Sequence, residues 1–251
     1  MIQLPVEPKV LSREGDNKVV FEISPLYPGY GMTVGNSLRR VLISSLGGAA
    51  ITAVKIKGVL HEFSTVPDVA EDVIEIILNL KKVRFKLFSD EPVTMILKSS
   101  GEGAVTAADI KTTADAEVIN TDQHITTITS KKGEIEMELK VEKGIGYVPV
   151  DQREKNKLGV GVIAIDGIFT PIKNVNFKVE NIRVDQRTDY NRAILEIETD
   201  GSITPEAALQ QAAKILIDHF NVIANIELPK ESAKLKKAAK PAAKKPAKKS
   251  K

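Results

Sequence analysis

Residues 29–48, GYGMTVGNSLRRVLISSLGG, decide how this 251-residue chain is read. A strand-like run, Val19 to Ile23, leads through Pro25 and Pro28 into a glycine-rich turn. A helix is expected from about Thr33 until Gly47 and Gly48 stop it. Thr33 offers a capping hydroxyl, and Gly47 suits the position just past a helix end, where positive φ is favoured. Val34, Leu38, Val41, Leu42 and Ser45 share one helical face, and Ile43 and Leu46 widen it beyond the usual stripe, so the helix needs cover on two sides. Asn36, Arg40 and Ser44 recur every fourth residue and draw one polar line down this apolar cylinder. Two readings of that line stand together: Arg39 and Arg40 reach to water from a core helix, or an arginine held there meets a partner.

The length allows one or two domains with a substantial core. The chain has no Cys, which excludes disulfides and thiolate metal sites, and no apolar run near the length of a membrane span. MIQLPVEPKV at the start lacks the basic and apolar regions of a secretory signal, so a soluble, cytoplasmic protein with no membrane association is expected. No Trp and 4% aromatic residues argue against a base-stacking platform for single strands. The net charge of +3 conceals a division: residues 230–251 hold ten Lys and one Glu, leaving 26 basic against 32 acidic residues before them. After Leu228 the Lys/Ala/Pro composition predicts disorder. Such a tail reads either as a weak, nonspecific nucleic-acid contact or as a solubilising extension.

Between these ends the pattern alternates. Ala50 to Leu60 suggests a strand. Thr65, Pro67 and Asp68 look like a helix start, with Val69, Val73, Ile76, Ile77 and Leu80 on one face, Glu71, Asp72 and Glu75 early, and Lys81 and Lys82 at the end. Residues 83–142 are strand-rich, above all where Ile135, Met137, Leu139 and Val141 alternate with Glu134, Glu136, Glu138 and Lys140. SGEGAVTAADI (100–110) and KGIGYVPV (143–150) read as glycine turns, and DQREKNK (151–157) as a charged loop. Further β runs follow in VGVIAID, NFKVENIRV and AILEIET, and Thr204-Pro205 opens a last helix carrying Leu209, Ala212, Ala213, Leu216, Phe220 and Ile223 on one side, with Ile215, Ile217 and Val222 widening it. The two over-apolar helices are expected to pack across a two-fold axis in an isologous dimer.

Local signals for chemistry are sparse. Gly29, Gly31 and Gly35 have G-x-G-x-x-x-G spacing, which fits a tight strand-to-helix turn better than a dinucleotide fingerprint. Glu71, Asp72 and Glu75 read as carboxylates complementing a helix dipole rather than as an acid/base pair. His61, His124 and His219 have no second histidine at metal-ligand spacing, so no metal is expected.

The run GYGMTVGNSLRRVLISSLGGAAITAVKIKGVLHEFST, with GNSLRR (35–40) at its centre, resembles the N-terminal signature of the bacterial RNA polymerase alpha subunit. The resemblance recurs, in the family's order, in HEFSTVPDVAEDVIEIILNLKKV, SGEGAVTAADI, KGIGYVP and VENIRVDQRTDYNRAILEIETDGSITPEAA, and covers roughly residues 18–226. It implies an α+β fold with a discontinuous dimerisation domain (1–47 and 170–228), a β-rich domain (48–169) inserted between and contacting the catalytic subunits, and a disordered basic tail (229–251).

The implied function is that of a homodimer that binds the β and β′ subunits and starts assembly, a noncatalytic part of a nucleotidyltransferase with no cofactor of its own. Carried over by motif, Arg40 is expected to face β, and Lys81 the catalytic-subunit side, accompanied by Asn36, Ser44 and Arg39. Gly35, Arg183, Gln186, Arg187, Thr188 and Asp189 match motif positions of less defined role. Leu38, Leu42, Leu46, Leu209, Leu216 and Phe220 are expected at the dimer contact. Members usually continue into a small helical domain that binds promoter DNA, where this chain has its lysine-rich tail. The rival readings are a free-standing enzyme that holds a nucleotide phosphate on the glycine turn, and the archaeal or eukaryotic counterpart subunit.

Overall fold

A computed structural model of the chain describes residues 4–152 and 159–226. Strands β1 (Lys9–Glu14) and β2 (Lys18–Leu26) lead into helix α1 (Tyr30–Ser44), strand β3 (Gly47–Ile56) and helix α2 (Val73–Leu80). Strands β4 (Phe85–Leu87), β5 (Val93–Ser100), β6 (Gly103–Thr106), β7 (Ile110–Lys111), β8 (Ala116–Val118) and β9 (His124–Ile128) precede the long β10 (Glu134–Ile145). After β11 (Tyr147–Val148), β12 (Val162–Ala164) and β13 (Gly167–Ile168) come the hairpin β14 (Ile172–Val184) and β15 (Arg187–Thr199) and the last helix, α3 (Pro205–Ala224).

Two larger sheets organise most of these strands, and β6-β9 and β11-β13 form separate two-stranded pairs. A four-stranded antiparallel sheet runs β1-β2-β15-β14, so its inner pair joins the two ends of the described chain, with Phe21 opposite Leu195 and Val19 opposite Ile197. A seven-stranded sheet runs β7-β5-β10-β3-β4-β8, with β12 also on β3. Each sheet has its own core. Val19, Phe21, Leu38, Leu42, Leu46, Leu195, Ile197 and Leu209 belong to the first, and Ile51, Val54, Ile76, Phe85, Leu97, Ile125, Met137 and Leu139 to the second. No residue is common to the two clusters.

The alternation over 134–142 is realised in β10, whose Ile135, Met137, Leu139 and Val141 are buried while the acidic residues between them pair with lysines across the sheet. Such cross-strand pairs stabilise by only a few tenths of a kcal/mol each (about 0.2–1), so the buried face is what fixes the register.

Several boundaries differ from expectation. Helix α1 starts at Tyr30, after Gly29 in the left-handed region (φ 86), and Thr33 is an exposed residue within it. It ends at Ser44, because Gly47 and Gly48 open β3, where a Cβ on Gly48 would overlap the Phe169 carbonyl oxygen. Strand β3 therefore starts earlier than Ala50 and stops at Ile56, leaving Leu60 outside it.

The helix expected from Thr65 begins only after Asp72, whose carboxylate accepts the Glu75 N–H at 2.7 Å. Upstream, Asp68 takes a positive φ of 59°, and Val69 bridges to Ile128, which excludes helix there. Strand β10 continues through the expected turn as far as Ile145, and the chain reverses at Gly146. Asp151 and Gln152 form a short 3-10 turn, and residues 153–157 of the expected charged loop lie outside the described residues, as does the tail.

Candidate subunit-contact surfaces

Helix α1 is pressed so closely onto the small sheet that side chains are excluded at two points. A Cβ on Gly31 would stand 2.6 Å from Val179 Cγ1, and one on Gly35 2.5 Å from the Phe177 ring. Gly29 N–H and Gly31 N–H both point at Asn191 Oδ1, at 2.8 and 3.3 Å. Asn191 is buried and its amide donates on to Asn181 Oδ1 at 3.0 Å. The donors that a phosphate would need are thus already satisfied by a side chain from β15, and the glycine spacing is explained by helix-to-sheet contact.

With Leu38 and Leu42 turned inward, the opposite side of α1 presents Met32, Asn36, Arg39, Arg40, Ile43 and Ser44 to solvent. The polar line therefore exists, but its three members differ in freedom. Ser44 Oγ donates back to the Arg40 carbonyl at 2.7 Å, and Asn36 Oδ1 accepts from Arg39 at 3.5 Å. Arg39 leans over the Phe177 ring, 5.9 Å from its centroid. The Arg40 guanidinium has no hydrogen bond or ion pair to any of the described residues.

The residues expected to form a dimer contact separate into two groups. Leu38, Leu42, Leu46 and Leu209 are buried inside the protomer, where they fill the space between α1, α3 and the sheet. Leu216 is half-buried against the same core, and Phe220 is 59% exposed. Only the first half of α3 is packed, with Thr204 Oγ1 accepting the Ala207 N–H and Ala208, Leu209 and Ala212 inside. From Ile217 to Ile226 the described residues are exposed, and Ile217, Phe220, Val222 and Ile223 belong to neither core cluster. Helices α1 and α3 meet within one chain, because both cover the same sheet.

A second surface lies beside α2. Phe63, Ile74, Ile77, Leu78, Lys81 and Ile163 line, with Glu62 and Ala164, a groove of about 280 Å³. Phe63 is 77% exposed and Leu78 51%. Lys81, just past the end of α2, donates to Asp166 Oδ2 at 2.9 Å, while Asp166 Oδ1 accepts the Val150 N–H at 3.0 Å. The Lys81 bond first, then Val150 N–H, with Tyr147 adding a third, hold the Asp166 carboxyl below its usual range against the opposing effect of burial. Neighbouring Lys82 donates to Asn79 instead.

Glu71 differs from its expected role. It precedes α2, and its carboxylate is a clamp on β9: it bonds His124 Nε2 at 2.8 Å, Thr126 Oγ1 at 2.8 Å and Thr127 N–H at 2.7 Å. Burial alone would raise its pKa, but the bonds from His124, Thr127 and Thr126 outweigh it and bring it down to about 2. His124 is therefore hydrogen-bonded to Glu71, whereas His61 and His219 stay exposed. Among the described residues no group of three or more His, Cys, Asp or Glu is placed to hold a metal. No helix among them is long and apolar enough to cross a membrane.

The block 183–189 forms the turn of the β14–β15 hairpin, with Asp185 at φ 53°. Arg183 donates to the Asp185 carbonyl, and Arg187 forks onto Asp189 at 3.0 and 2.7 Å while lying over the Tyr27 and Tyr190 rings. Gln186 and Thr188 are exposed. Arg187 and Asp189 thus hold the hairpin in shape.

Sequence reasoning missed Asn191, Asp166 and the role of Glu71, because each acts on a partner 16 to 162 residues away. No local motif encodes such a pairing.

Comparison with known proteins agrees with the motif resemblance. A family model of the RNA polymerase Rpb3/RpoA insert domain matches residues 54–170. The DNA-directed RNA polymerase subunit alpha of Moorella thermoacetica is 52% identical over 217 residues, covering 86% of this chain and 69% of that protein. The corresponding subunit of Oceanobacillus iheyensis is 49% identical over 215 residues, with 86% and 68% covered. That of Carboxydothermus hydrogenoformans is 48% identical over 221 residues, with 88% and 70% covered. With identity near one half over more than four fifths of its length, the chain belongs to the family of DNA-directed RNA polymerase alpha subunits.

Proposed function

We propose that two copies of this chain pair through Met32 and Ile43 of α1 and the projecting half of α3, and that the dimer gathers the β and β′ subunits of the polymerase. The observation that carries the pairing is the end of α3. Four large apolar residues on two helical turns, Val222 among them at 76% exposure, are left more than half exposed by the described residues. An isolated chain does not maintain such a helix end without a partner. The pairing residues are then Phe220, Ile217 and Ile223, together with Met32 and Ile43 of α1, while Leu38, Leu42, Leu46 and Leu209 serve it only by holding the helices.

In this reading residues 1–47 and 170–228 form the dimerisation domain, and 48–169 form an inserted domain that meets the catalytic subunits. The strand order and the two separate cores support that division. Arg40 carries the contact to β, since its guanidinium is exposed and uncommitted, and Lys81 with the groove beside α2 carries contact to a catalytic subunit. The chain itself is noncatalytic, needs no cofactor, and works with the polymerase in the cytoplasm. The lysine-rich tail adds weak, nonspecific attraction to nucleic-acid phosphates, which weakens steeply with salt.

Sedimentation of the full chain tests the pairing: a dimer is expected, and Phe220→Asp should run as a monomer with its far-UV spectrum intact. A wild-type monomer at micromolar concentration would sink the proposal. Arg40→Ala should keep its stability within about 0.5 kcal/mol, as exposed substitutions do, yet fail to retain β in a pull-down. Deleting residues 230–251 should lower DNA retention at low salt only, and unchanged retention there would count against the tail's role.

A further inference from the structure

The groove beside α2 has a polar end that is built rather than incidental. Lys81 lines the groove, yet its ammonium is tied to Asp166, whose other oxygen is occupied by the Val150 N–H. Asp166 thereby links the end of α2 to the chain just after β11, and a long flexible side chain becomes a fixed one. An ammonium has three donors, so Lys81 keeps two for a partner after the bond to Asp166. A lysine side chain otherwise loses rotamer entropy when it is ordered, and here much of that ordering is already done.

The charge balance says what kind of partner fits. Asp166 neutralises Lys81, and Glu62 also lines the groove, so the recess carries no excess positive charge. A carboxylate brought to Lys81 would face two others nearby, whereas a neutral carbonyl or amide oxygen would not. The walls are apolar: Phe63, Ile74, Ile77, Leu78 and Ile163.

We propose that Asp166 is a positioning residue for assembly, holding the Lys81 ammonium at a fixed place in the groove so that it donates to a neutral carbonyl oxygen of a catalytic-subunit segment whose apolar side chain fills the groove. This rests on the assignment of the Lys81 face to the catalytic subunits. It adds the residue that aims Lys81 and the chemistry of the segment received.

The test is a double-mutant cycle on the full-length chain, using purified β and β′ subunits and measuring the affinity of their capture. Lys81→Met, Asp166→Asn and the double variant are compared with the wild type. Asparagine keeps an oxygen for the Val150 N–H while removing the charge that holds Lys81, and dimer mass and thermal midpoint are followed in each variant. Each single change is expected to weaken capture about tenfold, and the double variant no more than either alone, since residues acting as one unit are non-additive. The loss should vary little between low and moderate salt, as a contact to a neutral oxygen requires.

Multiplying losses of about a hundredfold in the double variant would mean that Asp166 does not act through Lys81, and would overturn the inference. So would wild-type capture by Asp166→Asn alongside a loss in Lys81→Met, with the assignment of the face left intact. A Lys81→Met loss that disappears at moderate salt would identify a carboxylate partner and overturn the carbonyl. Full capture by Lys81→Met would overturn the assignment of the face itself, and the inference with it.

Discussion

Asn191 shows how one side chain can decide between functions. A glycine turn ahead of a helix offers backbone N–H groups to an anion, but here the Asn191 oxygen takes two of them. Removing it leaves the buried Gly31 N–H unmatched, at about 1–3 kcal/mol for such a group. Asn191→Ala is therefore expected to lower the urea midpoint by an amount in that range without creating nucleotide affinity, which equilibrium dialysis would check. Glu71 makes a related prediction for pH. Its pKa is lowered on folding from 4.5 to about 2, so the stability it contributes is complete above pH 4.5 and is lost as pH falls towards 2. Glu71→Gln should accordingly be less stable than the wild type at neutral pH, with the difference shrinking through that interval. A constant difference from pH 7 to pH 2 would rule out the charged clamp.

Among the elements, β10 was the most legible, because strict alternation with one buried face has a single interpretation. Helix α3 was equally readable from its cap and its apolar side, although only the first half of that side meets a core. The start of α2 was misread for a physical reason. Thr65, Pro67 and Asp68 carry the local signals of a helix N-terminus, but the pairing of Val69 with Ile128 draws the chain into extended form and delays the helix to Val73. The end of α1 was placed too late because two glycines suited a helix stop as well as they suit a strand passing tightly under Phe169.

Motif alone singles out Arg40 and Lys81 as candidate contacts. The inward leucines were not distinguishable from interface leucines, since both are simply apolar at helical spacing. Leu42 is fully buried between α1 and the small sheet, so Leu42→Ala should cost about 2–5 kcal/mol of stability. Its effect on dimerisation should follow that loss rather than exceed it, as measured by denaturation at several protein concentrations.

Across the whole molecule, the feature with the widest reach is the pairing of β2 with β15. Phe21 meets Leu195 only after the intervening chain has been made, so the small sheet is closed by contacts of very large sequence separation. The larger sheet draws all its strands from β3 to β12 and lacks that requirement. Long-range pairing is slow because the loop-closure entropy comes first. Pulse-labelled hydrogen exchange during refolding should therefore protect the β10 and β3 amides before those of β2, and simultaneous protection would contradict this order. During synthesis the consequence is one of timing. Once made, helix α1 must wait, with Leu38 and Leu42 uncovered, for β14 and β15, and for that interval the nascent subunit is a substrate for chaperones and a hazard for misassociation.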